Sequence, residues 1–223
     1  MSGFEEFRVL LRQELAALNL TLHADQEQQF FVYFQELRKW NQKINLSGND
    51  DEVFVVQQHF IDSLSCTLTS VPFERAHLLD IGTGAGFPGL PLKIYFPDMH
   101  VTLVDAVSKK IIFLRHLCRQ LGLFGVTCLA ARLPAQKTSD FPTSGFDVIV
   151  SRAVGSLRDV LIAAVPLLAS DGSILLQRGK KGLQEIEENQ LFLQEQSLQV
   201  AERRELRLPF LSAPRYLFTF HVL

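Results

Sequence analysis

Cysteine is scarce in this chain, and the little there is lacks a pattern. Cys66, Cys118 and Cys128 are odd in number and have no metal-ligand spacing, so they read as buried or free thiols in a reducing cytoplasm. Long hydrophobic runs are missing too. No stretch approaches the ~18 uninterrupted apolar residues of a membrane-spanning helix, and the opening MSGFEEF is acidic and mixed rather than a secretory signal. The third absence is an excess of positive charge. A net charge of −2 and a pI near 6.3 stand well below the pI above about 9 of a dedicated nucleic-acid-binding domain. Any RNA or DNA partner must therefore be met by local basic patches. Candidates are Arg38, Lys39 and Lys43; Lys109, Lys110, Arg115 and Arg119; and Arg178, Lys180 and Lys181. Taken singly, each group also fits a solvated helix face.

What is present describes a folded protein. The 223 residues are 47% hydrophobic and 21% charged, enough for one large α/β domain with an attached subdomain. No internal repeat or low-complexity tract interrupts them. Residues 1–70 read as helical, with Phe30, Phe31, Phe34, Leu37 and Trp40 at helical spacing and the acidic NDDEV at 49–53 opening a further helix. The aromatic stripe is expected to pack as a helical cap against the rest of the chain. A boundary near TSVPFERA separates this cap, residues 1–70, from a second unit at 71–223.

That second unit alternates strands and helices. Strands are expected at 77–81, 100–105, 125–130, 146–151 and 173–177, with helices at about 88–96, 108–121, 156–169 and 182–195. The rhythm predicts a mostly parallel sheet with helices on both faces. Two last runs, near 198–208 and 215–222, predict an antiparallel hairpin at its edge.

The chemistry gathers at LLDIGTGAGFPGLPLKIYFPDMHVTLVDA, residues 78–106. Glycine directly after a strand lets backbone turn sharply and approach a ligand. The spacing Gly82, Gly84, Gly86, with Phe87 where the third glycine of a dinucleotide site would stand, departs from G-x-G-x-x-G. No Lys-Ser/Thr follows, which excludes a Walker phosphate cradle. Asp105, ending the second strand, suits a ribose diol but is shared by dinucleotide and S-adenosylmethionine sites. Asp80 discriminates: a carboxylate there opposes a phosphate and favours the ammonium of a methionyl tail. The residues therefore point to S-adenosylmethionine, with a dinucleotide or a purely structural turn as the alternatives.

The chain also resembles a known family. KWNQKINLSG at 39–48, HFIDSL at 59–64, DIGTGAGFPGLPLKI at 80–94 and FDVIVSRAV at 146–154 are similar to the signature segments of RsmG, formerly glucose-inhibited division protein B. The resemblance implies a Rossmann-like class I methyltransferase sheet with an N-terminal helical extension. It implies methyl transfer from S-adenosylmethionine to N7 of a guanine in the decoding region of 16S ribosomal RNA, within the small subunit or an assembly intermediate. A cytoplasmic, monomeric protein without a membrane partner is expected. The implied cofactor contacts are Gly82, Phe87, Leu133, Pro134 and Arg152, beside Asp80, Gly84, Gly86 and Asp105 from the residues themselves. Two places depart from the family pattern: Arg178-Gly179 where a Lys-Gly pair is typical, and Leu133-Pro134 where an acidic residue is common.

Guanine N7 carries a lone pair and no proton, so its methylation needs no general base. The sequence agrees by omission: Ser151 and Arg152 stand after the fourth strand, where an Asn/Asp-Pro-Pro-Tyr or a Pro-Cys nucleophile would signal other acceptors. No catalytic acid, base or metal ligand is assigned. Arg152 is expected to orient the cofactor or guanine O6, with a salt bridge as the alternative. Asn45, His59 and Asp62 are either turn contacts or braces of the cofactor loop. Arg178, Lys180 and Lys181 are the first choice for RNA phosphates, because they follow a strand end on the cofactor side. A methyltransferase acting on a small molecule, or a cofactor-binding module without turnover, is the competing class.

Overall fold

In the computed structural model, which describes residues 3–133 and 141–223, the chain begins with helices and ends in a sheet. Helices α1 (Phe4–Ala16) and α2 (Ala24–Asn41) are followed by a continuous helical segment. It runs through α3 (Glu52–Val55), a π-helical turn (Val56–Ile61), α4 (Asp62–Leu64) and a 3₁₀ turn (Ser65–Leu68). Then come β1 (His77–Ile81), α5 (Gly89–Tyr95), β2 (His100–Asp105), α6 (Ser108–Gln120), β3 (Val126–Ala130), β4 (Phe146–Arg152) and α7 (Leu157–Ala164). The chain continues through β5 (Leu168–Arg178), α8 (Gly182–Glu188), α9 (Gln190–Glu195), β6 (Leu198–Leu206) and β7 (Arg215–Val222).

The seven strands lie in the order β3-β2-β1-β4-β5-β7-β6. Strands β1 to β5 are parallel, and β7 runs antiparallel between β5 and β6. The expected hairpin is present, with its second strand innermost. Strand order reverses between β1 and β4, and ligands of open α/β sheets bind at such a switch point, outside the carboxyl ends of the strands.

Successive strand residues face opposite sides, and this splits the core into two layers. Leu78, Leu103, Val148, Val150 and Leu175 join Phe7, Leu11, Phe30, Phe34, Phe60 and Phe113 on one face. Leu79, Val104, Ile149, Ile174 and Leu176 join Leu157, Leu161, Phe218 and Phe220 on the other. Phe30, Phe31, Phe34 and Leu37 are buried in the first layer, so the N-terminal helices share one core with the sheet. All three cysteines are buried and free. No helix among the described residues is long and apolar enough to cross a membrane.

Some boundaries differ from the expected ones. Helix α7 stops at Ala164, because Pro166 in the following 3₁₀ turn (Val165–Leu167) supplies no amide donor. Strand β5 then starts at Leu168, five residues earlier than the apolar run that marks it, with a register shift opposite Phe146 and Val148. The helix expected at 182–195 breaks at Asn189.

One buried carboxylate fastens the helical layer to the strand ends. Asp62 is fully buried. Its Oδ1 accepts from Arg215 Nε (2.8 Å) and Gln177 Nε2 (3.0 Å), and its Oδ2 from Arg152 Nη1 (3.0 Å) and Arg215 Nη2 (3.1 Å). Four donors fill the acceptor sites of a carboxylate. Asp62→Asn would leave two largely buried guanidinium groups without a counter-charge. Removing one partner of a buried pair costs about 3–5 kcal/mol, and urea unfolding should show a loss of that order; a variant with wild-type stability would refute this role.

Candidate functional site

The switch point is lined by the turn after β1 and the ends of β2 and β4. Asp80, at the end of the apolar run of β1, is fully buried. Its Oδ2 accepts from Thr83 Oγ1 (2.7 Å) and the amide of Gly89 (2.9 Å), while Oδ1 has no protein partner. Burial raises its pKa to about 6, against the opposing pull of those two hydrogen bonds and of Arg152. A buried carboxylate with one oxygen unpaired suits a cationic or hydrogen-bonding ligand group.

The glycines divide by role. Gly82 (φ +70°) and Gly84 (φ +61°) adopt left-handed conformations. The Gly82 amide donates to Val104 O (2.8 Å), folding the turn over the end of β2. A Cβ at Gly84 would meet nothing nearer than Gly82 O at 4.0 Å, so this face of the turn is open. At Gly86 (φ +107°) a Cβ would stand 2.6 Å from the Tyr33 hydroxyl, which is itself fixed to Ala85 O (2.7 Å). Gly86, expected at the cofactor, is required by packing against the helical layer.

Asp105 closes the other side. Its Oδ2 accepts from the Gly84 amide (3.0 Å) and its Oδ1 from the Val107 amide (2.8 Å), with Lys110 Nζ at 3.7 Å. This leaves lone-pair capacity on both oxygens. The carboxylate thus holds the glycine turn in place and keeps acceptors for a diol.

Phe87, expected at the cofactor, has a packing role as well. Its ring is buried between Tyr33 (centroids 5.4 Å apart, planes at 3°) and His59 (4.6 Å, 18°), with the Arg152 guanidinium 5.1 Å from its centre. Its aromatic surface is taken up by protein, so the side chain supports the turn from beneath. Arg152 is likewise engaged, donating to Asp62 and to Gln58 O (3.0 Å). Its salt bridge with Asp62 is largely buried rather than on the surface.

His59 sits in the π-helical turn, a local widening often found at functional sites. Ser47 Oγ donates to Asn49 O (2.7 Å) and so accepts from His59 Nε2 (2.9 Å), which leaves Nδ1 to accept from Arg152 Nη2 (3.2 Å). Burial, with the positive charge of Arg152, lowers its pKa to about 3. His59 and Asp62 therefore brace the loop, one by stacking and one by charge. Asn45 is exposed; Asn41 caps that turn instead, accepting from the amides of Leu46 and Ser47 (2.9 Å each).

Leu133 is partly buried against the second core layer, and Pro134 lies outside the described residues. Of the basic trio, Lys180 and Lys181 are exposed, but Arg178 is not. Its guanidinium donates to Val154 O and Gly155 O (3.1 Å each) and faces Glu185 at 3.7 Å. An arginine held inside by backbone carbonyls is withdrawn from phosphate contact, and it shapes the loop after β4. Sequence reasoning missed Tyr33, Gln58, Gln177 and Arg215. Tyr33 falls within the visible aromatic stripe, whereas Arg215 meets a partner 153 residues away and leaves no local signal.

A cleft of about 630 Å³ lies elsewhere. It is bordered by Glu74, Arg75, Pro97 and Asp98 at the amino ends of β1 and β2. The carboxylates and the glycine turn lie at the opposite strand ends, and no group of three or more potential metal ligands occurs among the described residues.

Alanine at Gly84 and at Gly86 should separate the two glycine roles. Gly84→Ala carries only the left-handed strain of about 1–2 kcal/mol. Gly86→Ala adds overpacking against a fixed hydroxyl, for a total of roughly 2–5 kcal/mol. Denaturant midpoints should show the second variant clearly less stable, and equal losses would contradict the assignment.

Comparison with known proteins identifies the family. A family model described as rRNA small subunit methyltransferase G matches residues 26–215. The protein of that name from Geotalea uraniireducens is 38% identical over 213 residues, covering 96% of this chain and 95% of its own. The one from Alkaliphilus metalliredigens is 34% identical over 205 residues, covering 92% and 86%. Among solved structures, a methyltransferase from Pyrococcus furiosus superposes with a TM-score of 0.60 at 16% identity, over 88% of this chain and 99% of that one. A SAM-dependent methyltransferase from Aquifex aeolicus gives 0.59 at 17%, over 85% and 98%. These two likenesses establish the Rossmann-like methyltransferase fold, and the sequence match over most of the chain establishes more: the protein belongs to the rRNA small subunit methyltransferase G family.

Proposed function

We propose that this protein transfers the methyl group of S-adenosylmethionine to N7 of a guanine in the decoding region of 16S ribosomal RNA. The observation that carries the reading is the pairing of family membership with the crevice at the switch point. There the unpartnered Asp80 Oδ1, the open face of Gly84 and the acceptors of Asp105 lie around one turn. Asp80 is assigned to the methionyl ammonium, Gly82 and Gly84 to close backbone approach, and Asp105 to the ribose hydroxyls. Leu133, Pro134 and Arg152 are assigned to its edges from the family resemblance, Leu133-Pro134 with residues unlike the acidic one usual there; Arg152 acts through Asp62 and the Phe87 ring. Lys180 and Lys181 are assigned to RNA phosphates. Residues 1–70 form the cap, 71–223 the cofactor domain, and the protein works as a cytoplasmic monomer on the small subunit or its precursor.

Bound cofactor supplies a methyl already activated by its sulfonium. The lone pair of N7 has no proton to lose, so the protein's task is positioning and exclusion of water. The histidine nearest the crevice supports this division of labour. With a pKa of about 3, its Nδ1 held by a guanidinium, His59 stays neutral near pH 7 and is too weak a base for proton abstraction. Transfer of labelled methyl to small ribosomal subunits, with the modified base mapped, is the decisive assay. Labelling of free nucleosides or small molecules but not of subunits would favour the competing class.

Asp105→Ala should weaken S-adenosylmethionine by about 1–3 kcal/mol, the scale of lost charge-assisted hydrogen bonds. Asp80 adds a pH dependence. The ammonium favours the ionised carboxylate, whose pKa without ligand is about 6. Cofactor affinity should therefore be level above that pH and weaken as pH falls through it. Calorimetry across pH 5–8 checks both, and a pH slope that survives in Asp80→Asn would remove Asp80 from this role.

A further inference from the structure

A second recess opens at the same end of the sheet, one strand beyond β4. Its walls are Gln58, Gly179, Lys180 and the loop from Phe210 to Arg215, and its volume is about 290 Å³. That is the lower end of the ~300–1,000 Å³ range of small-molecule sites, a size for one compact group. It is not isolated from the crevice. Gln58 Nε2 donates to Phe210 O (3.1 Å), and the backbone oxygen of Gln58 accepts from Arg152 Nη1 (3.0 Å). Arg215, at its floor, is pinned to Asp62 by two hydrogen bonds. The recess is therefore built on the same fixed hub as the methyl-transfer crevice.

Its chemistry is mixed in a particular way. Phe210 is half-buried and packs against the first core layer, and none of the aromatic ring contacts among the described residues involves it, which leaves its exposed part open. Pro214 and Leu211 add apolar wall. At the rim, Lys180 is exposed, as is its neighbour Lys181, and neither has a carboxylate partner among the described residues. An unpaired aromatic face beside unpaired cations fits a nucleotide of single-stranded RNA, whose base stacks while its phosphate meets the charge.

We propose that this recess receives a nucleotide flanking the methylated guanine, with Phe210 stacking on its base and Lys180 meeting its phosphate. Its position beside rather than at the switch point assigns it to a neighbour of the target base. It would anchor the RNA strand against the hub that supports the Phe87 ring and the glycine turn. The inference rests on the proposed RNA substrate and gives that substrate a second point of attachment.

The test uses the full-length protein and small-subunit RNA, either intact or with single abasic replacements on each side of the target guanine. Stacking worth about 1–3 kcal/mol per base corresponds to a rise in KM of roughly 5–150-fold. Phe210→Ala should show that rise with intact RNA, Phe210→Trp should restore most of it, and cofactor affinity should remain at the wild-type value. An abasic replacement at the recognised neighbour should impair the wild type to a similar degree and add little to Phe210→Ala. Lys180→Ala, on an exposed side chain that the fold does not need, should lower the salt slope of RNA binding by roughly 0.7. Fully additive losses at every abasic position, or wild-type KM in a folded Phe210→Ala, would overturn the recess alone. Failure of the wild type to methylate any small-subunit RNA would overturn the functional reading together with it.

Discussion

The Asp62 carboxylate, buried and shared by Arg152 and Arg215, is the constraint on which the rest of the site depends. It joins a helix of the N-terminal layer to the end of β4 and the start of β7. Each of these would otherwise end in solvent. The hub carries one negative and two positive charges, and its surplus spreads to its neighbours. His59, next to Arg152, is kept neutral, which permits its ring to lie flat on Phe87 in an apolar stack. The same arginine opposes the burial effect at Asp80 and so helps that carboxylate remain ionisable near neutral pH. Burial is the larger influence on both groups, and the triad's arginine adds to it at His59 and opposes it at Asp80.

The division of labour in the turn follows from geometry rather than from residue type. Glycines 82, 84 and 86 look alike in sequence, yet only Gly84 leaves an open face, while Gly82 makes room for Val154 and Gly86 for Tyr33. Asp105 acts in two directions, fixing the Gly84 amide while retaining acceptors. Such preorganisation matters for a reaction that asks nothing of an acid or base. Holding reactants in a near-attack arrangement is worth up to about 7–11 kcal/mol, and a rigid turn supported by a stacked phenylalanine supplies that rigidity.

Much of this was legible in the sequence, for physical reasons. Strands β1 and β2 coincide with the runs at His77–Ile81 and His100–Asp105, because strands buried on both faces in a parallel sheet read as near-continuous apolar runs, here broken by Asp80 and Thr102. The aromatic stripe of α2 announced its own burial. What escaped was long-range or directional. Arg178 reads as one of three adjacent cations, yet it points inward because carbonyls of the loop after β4 are available to it. Phe87 reads as a binding residue, but its ring completes a stack with Tyr33 and His59, and no local pattern specifies that stack. The early start of β5 was hidden because Ala169, Ser170 and Asp171 are poor strand formers, lying in the irregular stretch between the Phe146–Leu168 and Val148–Ser173 pairs.

The position of β7 between β5 and β6 bears on how the molecule is made. During vectorial synthesis β6 emerges first, but its strand partner among the described residues is β7, and β5 likewise waits for β7 to cover its edge. Pairing at this flank must therefore await the later strand, and so must the Arg215 contact that completes the Asp62 cluster across 153 residues. Contacts of such sequence separation form late, since loop closure must precede them. A nascent chain lacking β7 would carry an exposed strand edge and an Asp62 with one of its two arginines missing. Assembly of the active crevice is thereby coupled to the synthesis of β7.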